Sequence, residues 1–415
     1  MKRCSSCHLL CLFVVSSWFS TVGAEDWNQW RGPSRDGFVS KGSKWPANLT
    51  SEGLEKVWSV EVGESYAGPV VSGDLVFSVE TLKKKQEVVR AFDRESGAEK
   101  WSKAWDGSMK VPFFAAKNGS WVRSTPAVAN GKLYVAGMRD VLVCLDANSG
   151  EEQWVVDFAE REGTEIPGFG FVSSPLVTGD ALYVQAGCAV SRLKVSDGST
   201  VWRAMEDRRA MFGSAFSSPV LAKLAGHEQI LAQTRSHLGG IDPATGNELW
   251  RYEVKAFRGM NILTPAPAGD LIFTATYGGG SYGFSVTEDG GEWDAEKAWA
   301  HKLEGYMTSP ILRDGHAYFF GRDKRFHCVE LETGEVRWAS EKKFGEYWSL
   351  VANGDRILAL DQRGDLLYWQ ATPESLKELG KVEVSPNDST WAHLAVAGNE
   401  IFVRSLKGLT KWRWR

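Results

Sequence analysis

The residues best suited to chemistry in this chain stand where chemistry is hard to do. Cys4-Ser5-Ser6-Cys7-His8 matches the C-x-x-C-H spacing by which haem is attached through two thiols and held by an imidazole. It precedes an apolar stretch at 9–19, with Lys2 and Arg3 before it and Val22-Gly23-Ala24 after it. Those are the basic, apolar and small-residue zones of a secretory signal. We expect residues 1–24 to be removed as a signal peptide, and the haem motif with them. Of the six cysteines, Cys144, Cys188 and Cys328 then remain, an odd set that cannot all pair. Cys144 and Cys328 each stand six residues before a turn glycine, Gly150 and Gly334, so they read as buried free thiols at equivalent places in two repeats.

Other chemistry is no better supplied. His227, His237, His301, His316, His327 and His393 lack metal-ligand spacing, and His316 and His327 read as structural. Asp289, Glu292, Asp294 and Glu296 make an acidic loop whose spacing misses the twelve-residue calcium pattern, so it reads as a solvated insertion. No Walker-type loop occurs. The formal charge of −4 becomes −6 once Lys2 and Arg3 leave, which offers nucleic acid no basic footprint. No apolar run after the signal is long enough to span a bilayer as a helix. An exported protein, periplasmic or extracellular, is expected.

The elements that carry these residues are set by a repeat. One phrase, a small residue and often Pro before an apolar strand and a Gly turn, recurs at Pro69, Pro126, Pro175, Pro219, Pro265 and Pro310. Weaker copies follow at Ser349 and His393, making eight. A second phrase closes most copies: an acidic turn with Gly, then Trp. It supplies Trp101, Trp154, Trp202, Trp250, Trp299 and Trp338, with Trp58 ahead of the first copy. Period-two alternation between Gly, Asn and Asp turns gives four short strands per copy. One such sheet cannot bury both faces, whereas a radial ring of eight can, with each Trp wedged between neighbours. The last copy lacks its fourth strand, and 55–62 is a Trp-bearing strand with no copy before it. The expectation is an all-β, eight-bladed propeller over 55–415, closed by that N-terminal strand, with 25–54 as an extension whose Trp27, Trp30 and Trp45 pack on the ring.

Asp242-Pro243-Ala244-Thr245-Gly246-Asn247-Glu248-Leu249-Trp250 and its companions resemble the PQQ-like, or quinoprotein alcohol dehydrogenase-like, repeat family. The leader Trp27-Asn28-Gln29-Trp30-Arg31-Gly32-Pro33-Ser34-Arg35-Asp36-Gly37 is similar to that of exported bacterial proteins likened to outer-membrane assembly factor B. The resemblance implies either of two roles. Quinone enzymes of the family carry adjacent cysteines, a Trp beneath the quinone, and calcium held by Glu, Asn and Asp, whereas this chain has no adjacent cysteines after its signal. No cofactor is therefore expected, PQQ with calcium being the alternative. The other role is a non-catalytic scaffold for an envelope protein or peptide, with glycan or small-ligand binding as a further alternative.

The loops running from each outer strand to the next inner strand gather on one face of such a ring. They hold Trp121, Arg123, Phe169, Arg209, Phe212, Arg258, Tyr306, Trp348 and Trp391, together with Phe113, Phe114, Phe171, Phe216 and Phe257. Aromatic and Arg side chains are the types enriched at binding hot spots, so this set is the expected binding face.

Overall fold

The acidic turns act as local clamps. In the computed structural model, which describes residues 25–208 and 215–415, Asp93 accepts hydrogen bonds from the Ser96 backbone N–H at 2.9 Å and its hydroxyl at 2.8 Å. Asp146 with Ser149 and Asp242 with Thr245 repeat the arrangement. This is the Asx turn that Asp favours over a ladder position. The next residue, Gly97, Gly150 or Gly246, has a left-handed φ of 73°, 74° or 78°. A Cβ at Gly150 would also stand 2.5 Å from the Trp101 ring of the preceding blade, so both backbone and packing require glycine there.

Eight four-stranded antiparallel sheets follow. Blades 1 to 7 span 70–106, 127–157, 176–204, 220–253, 266–301, 311–339 and 348–383. Blade 8 joins 395–414 to the strand Leu54–Glu61, with Leu54 opposite Trp414 and Glu61 opposite Gly408. The ring is thus closed by the N-terminal strand, which becomes the outer strand of the last blade and covers the edge that Gly408–Trp414 would otherwise present. Blade 5 departs from the expected solvated loop: Gly280–Asp289 and Glu292–His301 run as one long hairpin. Gly290 and Gly291, at φ 60° and 92°, form a two-residue turn that lets pairing continue through the acidic residues.

The outer-strand tryptophans tie the blades together. Indole N–H groups of Trp58, Trp101, Trp154, Trp202, Trp299 and Trp338 donate to carbonyls of Arg94, Ala147, Val195, Pro243, Leu331 and Thr372, each on the next blade, at 2.7–3.2 Å. Trp250 faces the long hairpin of blade 5, which has no capped turn at that place, and donates to Gln229 of its own blade at 2.8 Å. Each buried Trp removes 150–250 Å² from water, about 4–6 kcal/mol as an upper bound. Cys144 and Cys328 are buried free thiols facing Trp154 and Trp338 in matching registers, and Cys188 is a half-buried free thiol. The signal region 1–24 lies outside the described residues.

Candidate functional site: the loop face and the filled axis

The antiparallel order of each blade puts the acidic turns on one face and the outer-to-inner loops on the other. On the loop face the rings form two chains of contacts. Tyr347 stacks on Trp391 at 5.9 Å and 17°, Trp391 meets Tyr66 at 5.7 Å, and Tyr66 meets Trp121 edge-on at 5.3 Å. Arg123 lies over Tyr66 at 5.0 Å and donates to the Gly119 carbonyl at 3.1 Å. Its guanidinium is held by the mouth's own loops, and burial lowers its pKa. In the second chain Phe113 touches Phe114, Phe114 meets Phe169 at 6.3 Å, and Phe169 meets Phe216 at 5.4 Å. Arg258 lies over both Phe257 and Phe114, linking the loop before blade 5 to the loop before blade 2 across the mouth. Tyr277 continues to Tyr306 at 5.3 Å, with Arg322 over it at 4.1 Å.

The expected set is therefore brought together in part. Trp121, Arg123, Phe169, Tyr306 and Trp391 are half-buried at the mouth, and Arg258 is exposed. Trp348 is a correction: it opens the inner strand of blade 7 and is 1% exposed, enclosed by Phe320, Phe326, Phe344 and Trp369. Phe171 is core as well. Arg209 and Phe212 lie outside the described residues. Tyr66, Tyr277 and Ile166 were missed, because single aromatics or aliphatics in loops and turns carry no spacing signal. Exposed large apolar side chains collect here: Leu82, Phe113, Phe114, Ile166 and Phe257, at 36–92% exposure.

The axis itself is filled from within the chain. Asp26 enters beside the first turn of blade 1, accepting from Gly73 N–H at 2.9 Å, and Trp27 then pairs with Val71 of that blade's inner strand. Asn28 bonds Val128 of blade 2, and Gln29 accepts from Val177 of blade 3. Arg35 donates to Pro175 and Ser174 of blade 3, and Arg31 to Pro310 of blade 6. Trp30 meets His393 of blade 8, and Phe38 and Val39 pair with Ala352 of blade 7. A thirteen-residue segment reaching the inner strands of six blades can only lie on the axis. Both guanidiniums sit near the Trp30 ring, at 5.6 and 5.3 Å. Burial lowers Arg31 to about 10 and Arg35 to about 9, the latter also through its neighbour Arg31.

The guanidiniums on the axis are already bonded to carbonyls of the ring, Arg31 to Pro310 and Arg35 to Pro175 and Ser174. The axis presents two buried guanidiniums and backbone carbonyls, and among the described residues no group of three His, Cys, Asp or Glu could hold a metal ion. Among the described residues, no helix is long and apolar enough to cross a membrane.

A family model described as outer membrane protein assembly factor BamB matches residues 84–340. The chain belongs to that family. BamB of Yersinia pestis is 21% identical over 329 residues, covering 76% of this chain and 70% of the relative. The quinohemoprotein alcohol dehydrogenase ADH-IIG of Pseudomonas putida is 25% identical over 264 residues, covering 57% of this chain but 35% of the enzyme. Among solved structures, BamB from Moraxella catarrhalis matches with a TM-score of 0.63 and 16% identity, over 87% of this chain and 98% of that one. A quinohemoprotein alcohol dehydrogenase from Comamonas testosteroni matches with a TM-score of 0.63 and 13% identity, over 94% and 80%. These structural likenesses speak for the fold.

Proposed function

We propose that this chain is a non-catalytic scaffold of the cell envelope that holds a polypeptide on its loop face during outer membrane protein assembly. The observation that carries the reading is the pair Phe114 and Phe257, both exposed and both beneath Arg258, with Ile166 exposed in the loop before blade 3, around a mouth whose axis the chain fills itself. Exposed apolar side chains gathered on one face mark an interaction surface, while a small-ligand site needs an enclosed cup. The name shared by the BamB relatives supports a role in assembly. The reading includes no cofactor. It also ranks above a glycan site, because Tyr347 and Trp391 stack on each other and leave a sugar ring less open aromatic face.

The test is a photo-crosslinking residue placed at Phe257, at Ile166 or, as a control on an outer strand, at Val201, in cells carrying an intact envelope. The reading expects an adduct with an identified assembly component from the first two positions, and its loss when Phe257→Asp is combined with the probe at Ile166. Equal labelling from Val201, or none from the loop face, would overturn it.

A further inference from the structure

The corner of the loop face at blade 1 has a composition that the protein-binding role does not explain. The turn joining its second and third strands is Lys83-Lys84-Lys85, preceded by Leu82. Lys83 and Lys84 have φ of 54° and 55°. Two consecutive left-handed residues in a hairpin turn are where Asn-Gly is favoured, and a long side chain there costs stability. The loop 107–120 is bonded onto this turn. Gly107 and Ser108 donate backbone N–H groups to Lys85 O at 3.3 and 3.2 Å, and the Ser108 hydroxyl donates to Lys84 O at 2.6 Å. That loop then presents Lys110, Phe113, Phe114 and Lys117, with no acid from 107 to 120. Phe113 opens the short 3-10 helix Phe113–Asn118 and is 92% exposed. Among the described residues none of the five lysines forms an ion pair. Asp106, at the end of the outer strand, is one acid that borders them.

We infer that this corner docks on an anionic lipid surface, with Phe113 and Leu82 entering the headgroup boundary and the five lysines meeting the lipid phosphates. A protruding ring and an exposed aliphatic side chain among hydrated point charges are the groups that bind bilayer interfaces. A protein partner is the weaker fit. Interfaces between proteins are depleted in Lys and enriched in Arg, and the cations of this turn and its loop are all lysines, with Arg139 of blade 2 beside them at Gly107. The lysines hold a strained turn, and in an overall acidic chain this corner gathers five lysines beside Asp106 and Glu64.

The experiment is flotation of the mature full chain with vesicles of phosphatidylcholine, alone or with about one third phosphatidylglycerol. Binding to the anionic vesicles alone is expected, weakening as salt rises and the Debye length shrinks from about 10 Å towards 3 Å. The double variant Lys83→Asn/Lys84→Gly should lose about fivefold in partitioning per lysine, roughly 25-fold together. It should melt no lower than the parent, since Asn-Gly suits the turn, so lost binding cannot be lost folding. Phe113→Ala should weaken binding severalfold while leaving the salt dependence unchanged. Equal binding to both vesicles, no binding, or full binding by the double variant would overturn the inference. So would absence of vesicle binding together with capture of poly-glutamate, which would reassign the corner to acidic polypeptides. Because the vesicles contain no protein, failure of the scaffold reading leaves this result standing.

Discussion

The backbone of Leu49 lies against Gly380, and that contact stands where the rest of the ring has a tryptophan. The Leu49 N–H donates to the Leu379 carbonyl at 3.0 Å, and a Cβ on Gly380 would stand 1.9 Å from the Leu49 carbonyl oxygen. Gly380 pairs with Tyr368 immediately before the bulge in blade 7. Trp101, Trp154, Trp202, Trp250, Trp299, Trp338 and Trp58 hold that register position in the other blades. The N-terminal extension supplies the missing ring: Trp45 packs 5.9 Å from Tyr368 and 6.3 Å from Trp414. Gly380→Ala should therefore cost about 3 kcal/mol or more, because the new methyl meets backbone rather than a movable side chain. Trp45→Ala should cost a similar amount. Urea denaturation of both single variants and the double should show less-than-additive loss, since either change releases the same segment.

Deletion of 25–50 should lower the melting temperature sharply. It removes Trp27, which is 2% exposed, Trp45, and the strand-like pairings of Trp27 and Phe38. At about 3–5 kcal/mol per large aromatic, a loss above about 5 kcal/mol is expected. Thermal melting of the deleted chain measures it, and an unchanged midpoint would show the extension to be dispensable.

Trp250 should respond differently from its counterparts. Its indole N–H meets the Gln229 side chain, which is fully buried. Trp250→Phe leaves Gln229 Oε1 without that donor, at a cost of about 1–3 kcal/mol, and a Gln229→Leu background should recover part of it. Trp154→Phe, whose acceptor is the Val195 carbonyl, should gain nothing from Gln229→Leu. A double-mutant cycle by denaturation separates the two.

Stability should fall as pH rises from about 4.5 to about 7. Burial pushes the Glu87 carboxyl up to about 7, although Met138 N–H and the Trp105 indole hold it. The unfolded chain gives up this proton first, so the stabilising contribution is complete below about 4.5 and lost as pH passes about 7. The full change is of the order of 3 kcal/mol. Asp140, pushed up to about 6 by burial, adds a smaller loss of the same sign. His393 acts in the opposite sense. Burial lowers it to about 3, so its contribution is present above about 6.5 and lost as pH falls towards 3. Melting curves from pH 4 to 8 should show Glu87→Gln removing the larger part of the decline above about 4.5.

What the sequence determined by itself is whatever repeats. The aspartate–glycine–tryptophan phrase specifies a local turn, a left-handed residue and a wedge, each a near-neighbour effect. Its recurrence, together with the eight copies of the small-residue and Gly-turn phrase, implies the ring, and the Trp-bearing strand near 55–62 implies the closure. The loops of one face could likewise be assigned, because an antiparallel blade puts every outer-to-inner connection on the same side. The tertiary structure alone decided what does not repeat. Trp348 and Trp391 both stand near the start of an inner strand, yet one is sealed by four aromatic rings and the other stacks on Tyr347 at the mouth, because packing depth depends on neighbours remote in sequence. Arg31 and Arg35 look like solvent-exposed charges in a polar leader. They are buried because the ring's axis is lined with backbone carbonyls from inner strands that only closure brings together, and a short segment carrying forked donors can satisfy several of them at once.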